Sequence, residues 1–442
     1  MAGLAGILIA CCPALGQGQV QGQAGAGVRA ALREAPTGGV SEQDTSGAMQ
    51  TGADEGLPGR ALFQLRPRYT HVNQTNKPET ARAENMRLLL GYRTAPIGDF
   101  EFTGQLVNVS WREPKRATYE PGSFASEYPL IADSDKSDVN LLHADYVGLP
   151  DLRVRLGRQM IKLDNERFVG SADMRQMPQV FDAASARYTG VPDTEIYAAH
   201  AWHVRTYFGN RFQTRTTLLN VRVQSELGLS VGAYGYFQDQ PQINNATGLA
   251  DNSNRIVGAR VEGNTPPANA LSWYYTAEVA QQRPYAGGDQ RIRATYERLA
   301  FGPTWKKYSA QLNYERLGSN GGRYGFQMPL SYNTFQGWAY NYFSTPAEGV
   351  RDLNASFAAA FGRLDLALKR HRFTADFGGA ALGTEWDLAL GYRINESLSI
   401  RGVFGQFRAD PASVRPTGPR AVYGQVPAPS ADRYYLTLQY DY

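Results

Sequence analysis

The last nine residues, Tyr434 to Tyr442, alternate without a break. Tyr434, Leu436, Leu438, Tyr440 and Tyr442 are large and apolar or aromatic, while Tyr435, Thr437, Gln439 and Asp441 between them are polar or amphipathic. Successive side chains of a strand point to opposite faces, so this segment is a strand with one oily face and one wet face. A final strand of this kind, closed by an aromatic, is expected of an outer-membrane β-barrel, where it completes the cylinder and its aromatics join the interfacial girdle. A large soluble β-sandwich or propeller is the competing reading.

Composition narrows the choice. After the first fifteen residues nothing approaches the roughly 20 consecutive apolar residues that a spanning helix needs, which excludes a helical membrane protein. The 26 tyrosines outnumber the 19 phenylalanines, and there are 46 glycines. Amphipathic aromatics and glycines without long apolar runs suit interface girdles around a polar lumen. A net charge of only +4 implies no general attraction to nucleic acid.

Residues Leu4 to Ala10 form a short apolar core, and Ala14-Leu15-Gly16 resembles a small-x-small cleavage site, so residues 1–16 read as a signal peptide. No Lys or Arg precedes that core. Leu8-Ile9-Ala10-Cys11 also resembles a lipobox that would attach a lipid at Cys11; cleavage after Gly16 is the preferred reading. Both cysteines, Cys11 and Cys12, lie in this segment, so its removal leaves neither disulfides nor thiolate metal sites. Residues 17–60, rich in Gly, Gln, Ala, Thr and Ser without periodicity, read as a flexible leader.

From Ala61 to Tyr442 the period-two pattern recurs. Met86, Leu88, Leu90 and Tyr92 alternate with Arg87, Leu89, Gly91 and Arg93, and Trp386, Leu388, Leu390 and Tyr392 do so near the end. The segments number about eighteen, each near the ten residues of a tilted membrane strand. They begin at Ala61, Arg82, Asp99, Val139, Asp151, Val180, Thr194, Gln213 and Leu227, then at Ser253, Ala270, Arg293, Thr304, Val350, Gly362, Gly383, Glu396 and Asp432. Those at Thr194 and Arg293 alternate poorly. Short links such as Gly148-Leu149-Pro150, Ser225-Glu226 and Asn395 would be periplasmic. The long links, 111–137, 162–179, 319–349 and 409–431, would be extracellular or folded into the lumen.

Several stretches carry a recognisable wording. Gly157-Arg158-Gln159-Met160-Ile161, Arg167-Phe168-Val169-Gly170, Arg175-Gln176 and Phe181-Asp182-Ala183 come first. Tyr314-Glu315-Arg316-Leu317-Gly318-Ser319, Gly325-Phe326-Gln327-Met328-Pro329-Leu330 and Phe335-Gln336-Gly337-Trp338-Ala339 follow, then Thr345-Pro346, Arg351-Asp352-Leu353, His371-Arg372-Phe373 and Gly383-Thr384-Glu385-Trp386-Asp387-Leu388. Together they resemble the alginate export family over residues 61–442. That resemblance implies an eighteen-strand outer-membrane barrel and passive passage of a uronic-acid polymer through an electropositive constriction.

Strand parity gives the lumen independently. Inward positions carry Arg66, Arg68, Arg87, Arg93, Arg153, Arg155, Arg222, Arg260, Lys369, Arg393 and Arg401, against Glu101, Asp145, Glu262, Glu278, Glu315, Asp365, Glu385, Asp387 and Asp441. Guanidinium groups match carboxylates in bidentate geometry, and a low-dielectric wall focuses their field, so such a ladder can guide anions. Mixed wall charges that mainly pair with one another are the bland alternative. Arg158 has outward parity, counted from Leu152, Val154 and Leu156, which would cost a few kcal/mol near the bilayer midplane. It is therefore expected at a strand end or beyond a bulge, where Arg158, Arg167 and Arg175 could fold inward as a constriction; alternatively they pair with Asp164, Glu166 and Asp173.

Catalysis finds little support. His200 and His203, three apart, should point to opposite faces of a strand and cannot chelate one metal. His371 shares inward parity with Lys369, with no nucleophile spacing nearby. No cofactor and no metal is expected. The reading is thus an outer-membrane channel for passive export or diffusion of an anionic polysaccharide or a small anionic solute, embedded in outer-membrane lipid and assembled by the barrel-assembly machinery through its C-terminal strand. A general small-solute porin, a non-conducting structural barrel and an outer-membrane enzyme are the alternatives.

Overall fold

The computed structural model describes residues 58–112, 127–226, 228–241, 249–331, 335–342, 344–411 and 429–442. The expected signal peptide and nearly all of the leader lie outside them. Eighteen strands account for the wall. They are β1 (Gly59–Gln74), β2 (Ala81–Thr94), β3 (Phe100–Trp111), β4 (Lys136–Leu149), β5 (Leu152–Gln159) and β6 (Val180–Tyr188). Next come β7 (Thr194–Arg205), β8 (Arg211–Gln224), β9 (Leu229–Asp239), β10 (Asn254–Asn264), β11 (Leu271–Pro284) and β12 (Ala294–Trp305). The last six are β13 (Tyr308–Leu317), β14 (Val350–Phe361), β15 (Leu364–Thr374), β16 (Ala381–Arg393), β17 (Leu398–Ala409) and β18 (Ala431–Asp441).

Each strand pairs antiparallel with its neighbours in sequence, and β18 closes on β1 with Leu65 opposite Tyr440 and Tyr69 opposite Leu436. Closure leaves no free sheet edge, which is the condition for strands to cross a bilayer. The outer face exposes Leu90, Leu106, Leu142, Leu156, Leu299 and Leu312, with Trp273, Phe301, Trp305 and Tyr440 toward its margins. The inner face carries most of the wall's charged residues, with apolar ones such as Leu218, Ile256, Phe373 and Phe407 where inserted loops pack, and alternation of the two faces is the pattern that the sequence displays.

The segment beginning at Thr194 alternates poorly because β7 carries a bulge: Asp182 pairs with His203 but Ala183 with Ala201, leaving Trp202 over. A bulge inserts one residue and flips the parity beyond it. His200 and His203 therefore both lie on the outer face, which corrects the opposite-face expectation. His200 meets Thr217 at 3.0 Å and His203 lies 4.0 Å from Asp182. Among the described residues no group of three His, Cys, Asp or Glu side chains could hold a metal. β13 begins at Tyr308 rather than Thr304, because β12 runs through to Trp305 and turns on Lys306 and Lys307.

Candidate functional site: a lumen narrowed by two loops

Two long links fold into the barrel. The first, residues 160–179 between β5 and β6, brings Ile161, Leu163, Phe168 and Val169 into an apolar cluster with Tyr234 and Tyr296 of the wall. The Phe168 ring sits 5.0 Å from that of Tyr296. This burial draws the loop inward, and its backbone carbonyls must then find donors inside the lumen.

Arginines of β1 and β2 supply them. Arg66 and Arg87 are cross-strand partners, so both project inward side by side. Arg66 donates to the Asp173 carbonyl at 2.8 Å, to the Gln176 side chain at 2.8 Å and to the Arg175 carbonyl. Arg68 donates to the Met174 carbonyl at 2.7 Å, and Arg87 to the Arg175 carbonyl at 3.3 Å and to Gln64. All three are buried. Charge-assisted bonds of this type are about twice as strong as neutral ones, so this end of the loop is firmly held.

The second link, between β13 and β14, is held by acids. Glu385 accepts the Ala339 amide at 2.6 Å and Asp387 the Trp338 amide at 3.1 Å. His371 stands between Asp387, at 3.3 Å, and Asp352, at 2.9 Å. The close approach depends on glycine at two places. Gly337 has φ +82°, and a Cβ there would meet the Glu385 carboxyl at 2.4 Å; a Cβ on Gly405 would meet the Ala339 nitrogen at 2.5 Å.

The loops meet over the bore. Val169 and Leu330 form a parallel bridge, and the Gly170 amide donates to the Leu330 carbonyl at 3.0 Å. Arg167 donates to Glu315 of β13 at 2.6 Å and lies 4.3 Å from the Phe335 ring, while Gln336 also reaches Glu315. Arg175 stacks on Tyr340 at 4.3 Å and Tyr207 at 5.1 Å. Arg167 and Arg175 thus fold inward, but with partners other than Asp164 and Glu166; Asp173 takes Lys162 instead. Arg158 does not join them. It stays on the outer parity of β5, where Asp182 of β6 accepts from it at 2.7 Å and 3.0 Å and Asp138 lies at 3.3 Å. A carboxylate from the neighbouring strand, rather than inward folding, compensates its charge.

Toward the periplasmic end, the lumen wall keeps charges that the loops do not cover. Arg153 contacts Glu101 at 3.0 Å and Asp145 at 2.7 Å with 41% of its side chain still exposed. Arg155 pairs with Asp145 at 2.6 Å, and Arg187 with Glu195 at 2.7 Å, to which Arg222 comes within 3.6 Å. Arg93 bonds to Thr103, Arg401 is half-buried and Arg393 is exposed. Arg187 and Glu195 were not legible from parity, because β6 reads Ala183-Ala184-Ser185-Ala186 and offers no oily face to count from.

At the extracellular end, Asp376 in the link between β15 and β16 latches the second loop. It accepts from Arg316 at 2.7 Å, Arg351 at 2.8 Å and the Ser319 amide at 2.9 Å. Burial works to raise its pKa, but the Arg316 hydrogen bond, the Ser319 amide and Arg351 outweigh it and hold the carboxyl below its ordinary range.

A closed antiparallel barrel with an apolar outer band, a charged lumen and loops folded into its bore defines a porin-like outer-membrane barrel. The family model for alginate export matches residues 63–410, and the chain belongs to that family. No curated protein sequence matches it. Among solved structures, Acinetobacter baumannii OccAB3 is similar at TM-score 0.65 and 14% identity, covering 87% of this chain and 99% of that one. Pseudomonas aeruginosa OpdK with vanillate has TM-score 0.64 and 11% identity over 88% and 100% of the two chains. P. aeruginosa OccK2 (OpdF) in complex with glucuronate has TM-score 0.60 and 12% identity over 86% and 97%. Family and fold are those of an outer-membrane channel rather than of an enzyme.

Proposed function

We propose that this barrel passes anionic carbohydrate acids, or related small carboxylates, down their gradient through the opening left beside the two inserted loops. The observation that carries the reading is the set of cations near the periplasmic mouth, Arg153, Arg187, Arg222 and Arg393, which keep exposed guanidinium surface in the lumen. A carboxylate entering that field is drawn in, and Glu101 and Glu195 beside the cations weaken its hold enough for release. OccK2 in complex with glucuronate and OpdK with vanillate carry solutes of the same chemistry in those barrels. Arg66, Arg68 and Arg87 act in this scheme as clamps for the first loop, with Glu385 and Asp387 as clamps for the second. The C-terminal strand, with Tyr434, Leu436 and Tyr440 exposed on its outer side, is assigned to engagement by the barrel-assembly machinery.

Planar-bilayer recordings test the reading. An anion-selective reversal potential, with current reduced by oligouronates or glucuronate, is the expected result. Steady current with weak selectivity and no block would replace it with a general small-solute porin. That second reading draws on Arg153, whose charge two acids already share.

A further inference from the structure

The barrel makes eight turns at its periplasmic end, and their charges are sorted by sector. Five of them hold an acid and no cation: Asp99, Asp151, Asp193, Glu226 and Glu396 lie between β2 and β3, β4 and β5, β6 and β7, β8 and β9, and β16 and β17. The three consecutive turns from β10 to β15 hold no acid, and two of them carry cations, Lys306 and Lys307 between β12 and β13 and Arg363 between β14 and β15.

These cations stand on an aromatic floor facing the bilayer. Lys306 Nζ lies 4.9 Å from the Trp305 ring, and Lys307 Nζ lies 4.4 Å from Phe361 and 5.5 Å from Tyr308. Trp305 stacks with Tyr308 at 6.2 Å, and Tyr308 with Phe357 at 6.2 Å, so the rings form a continuous outer patch. Backbone bonds tie the turns together: the Lys306 amide to the Ala270 carbonyl at 3.3 Å, the Ala360 amide to the Lys307 carbonyl at 3.0 Å. Arg363 spends one donor on the Ile394 carbonyl at 2.8 Å. Among the described residues none of the three cations has a carboxylate within 4.0 Å. By contrast Arg112, Arg158, Arg215 and Arg408, at the other end of the outer wall, hold Glu84, Asp182, Asp239 and Asp432. Lys306 also occupies φ +52°, a turn position that glycine adopts at no cost.

We propose that this sector is a binding site for the headgroup of an anionic glycerophospholipid in the periplasmic leaflet. The ammonium groups and the guanidinium take the phosphate, and the rings of Trp305, Tyr308 and Phe361 pack against the glycerol and upper acyl region. The acidic turns elsewhere on the rim repel the same headgroup, which confines it to this side.

The test equilibrates the refolded barrel with vesicles of phosphatidylethanolamine mixed with phosphatidylglycerol and counts retained lipid by native mass spectrometry. Wild type should enrich phosphatidylglycerol over the vesicle composition, by about fivefold for each cation engaged. The K306Q/K307Q/R363Q variant should lose the enrichment with its heat-modifiable barrel intact. The K306R/K307R/R363K variant should keep it, as should R82Q/R255Q/R372Q, which removes equal charge elsewhere. Absence of enrichment in wild type, whether or not the sector captures soluble polyglutamate, overturns the proposal. So does enrichment that survives in the glutamine variant.

Discussion

Arg167 and Glu315 are 148 residues apart in sequence, yet Arg167 Nε donates to Glu315 Oε1 across 2.6 Å with both side chains 2% exposed. The same carboxylate accepts from Gln336 of the second loop and from the Tyr296 hydroxyl at 2.7 Å. One wall residue therefore holds both inserted loops. Replacing Glu315 with Ala leaves a buried guanidinium without its counter-charge, at a cost of about 3–5 kcal/mol. The barrel itself should survive, since its ladder is untouched. Single-channel recordings should show larger and noisier openings; an unchanged trace would mean that the loops are held independently of this pair.

Gly405 offers a steric test at the second loop. Gly405→Val places carbon where the Ala339 nitrogen and the Trp338 carbonyl carbon lie, at 2.5 Å and 2.6 Å from a Cβ. The loop must retreat, as β17 is fixed on both sides by its ladder. Limited proteolysis of intact vesicles should then cut within residues 319–349 faster than in wild type. Equal rates would show that the wall yields instead.

Clamping and screening arginines should separate by recording. Arg66→Ser with Arg87→Ser removes donors from the Asp173 and Arg175 carbonyls, so conductance should rise with little change in ion preference. Arg153→Ser, Arg187→Ser and Arg222→Ser together should leave conductance near wild type and shift the reversal potential toward neutrality. If the first pair alone shifts selectivity, those two arginines also face the permeating ion.

The Asp376 latch carries a pH signature. Its folded pKa is depressed, so its contribution is fully present above the ordinary carboxylate value of about 3.9 and is lost as pH falls through the depressed value. Protease resistance of the second loop should be flat from neutrality to about pH 5 and fall below about pH 4. Asp376→Asn should show the acid behaviour already at neutral pH. A loop equally resistant at all pH values in both proteins would remove the latch.

Parity carried the wall and stopped at the loops. Alternation along β2 and β16 suffices to place Arg87, Glu385 and Asp387 inward, because a strand's facing is a local property. What those side chains bind is not local: Arg87 meets carbonyls of residues 175 and 176, and Glu385 an amide of residue 339. Residues read as a ladder for solute are in part fasteners for backbone. Arg158 shows the converse. Its outward parity was legible, but its partner Asp182 belongs to β6, where alanines hide the facing, so an inward fold looked necessary. The bulge at Trp202 hid the common face of His200 and His203 for a similar reason, since one extra residue leaves no compositional mark.

The bridge between Val169 and Leu330 joins links that leave the wall on nearly opposite arcs, between β5 and β6 on one side and β13 and β14 on the other. Mechanically it is a tie-beam across a hoop. A cylinder with such a strut resists being squeezed into an ellipse, and neither loop can swing aside without dragging its counterpart. The aperture is therefore a property of the pair, and loosening either loop at its wall contacts shifts both.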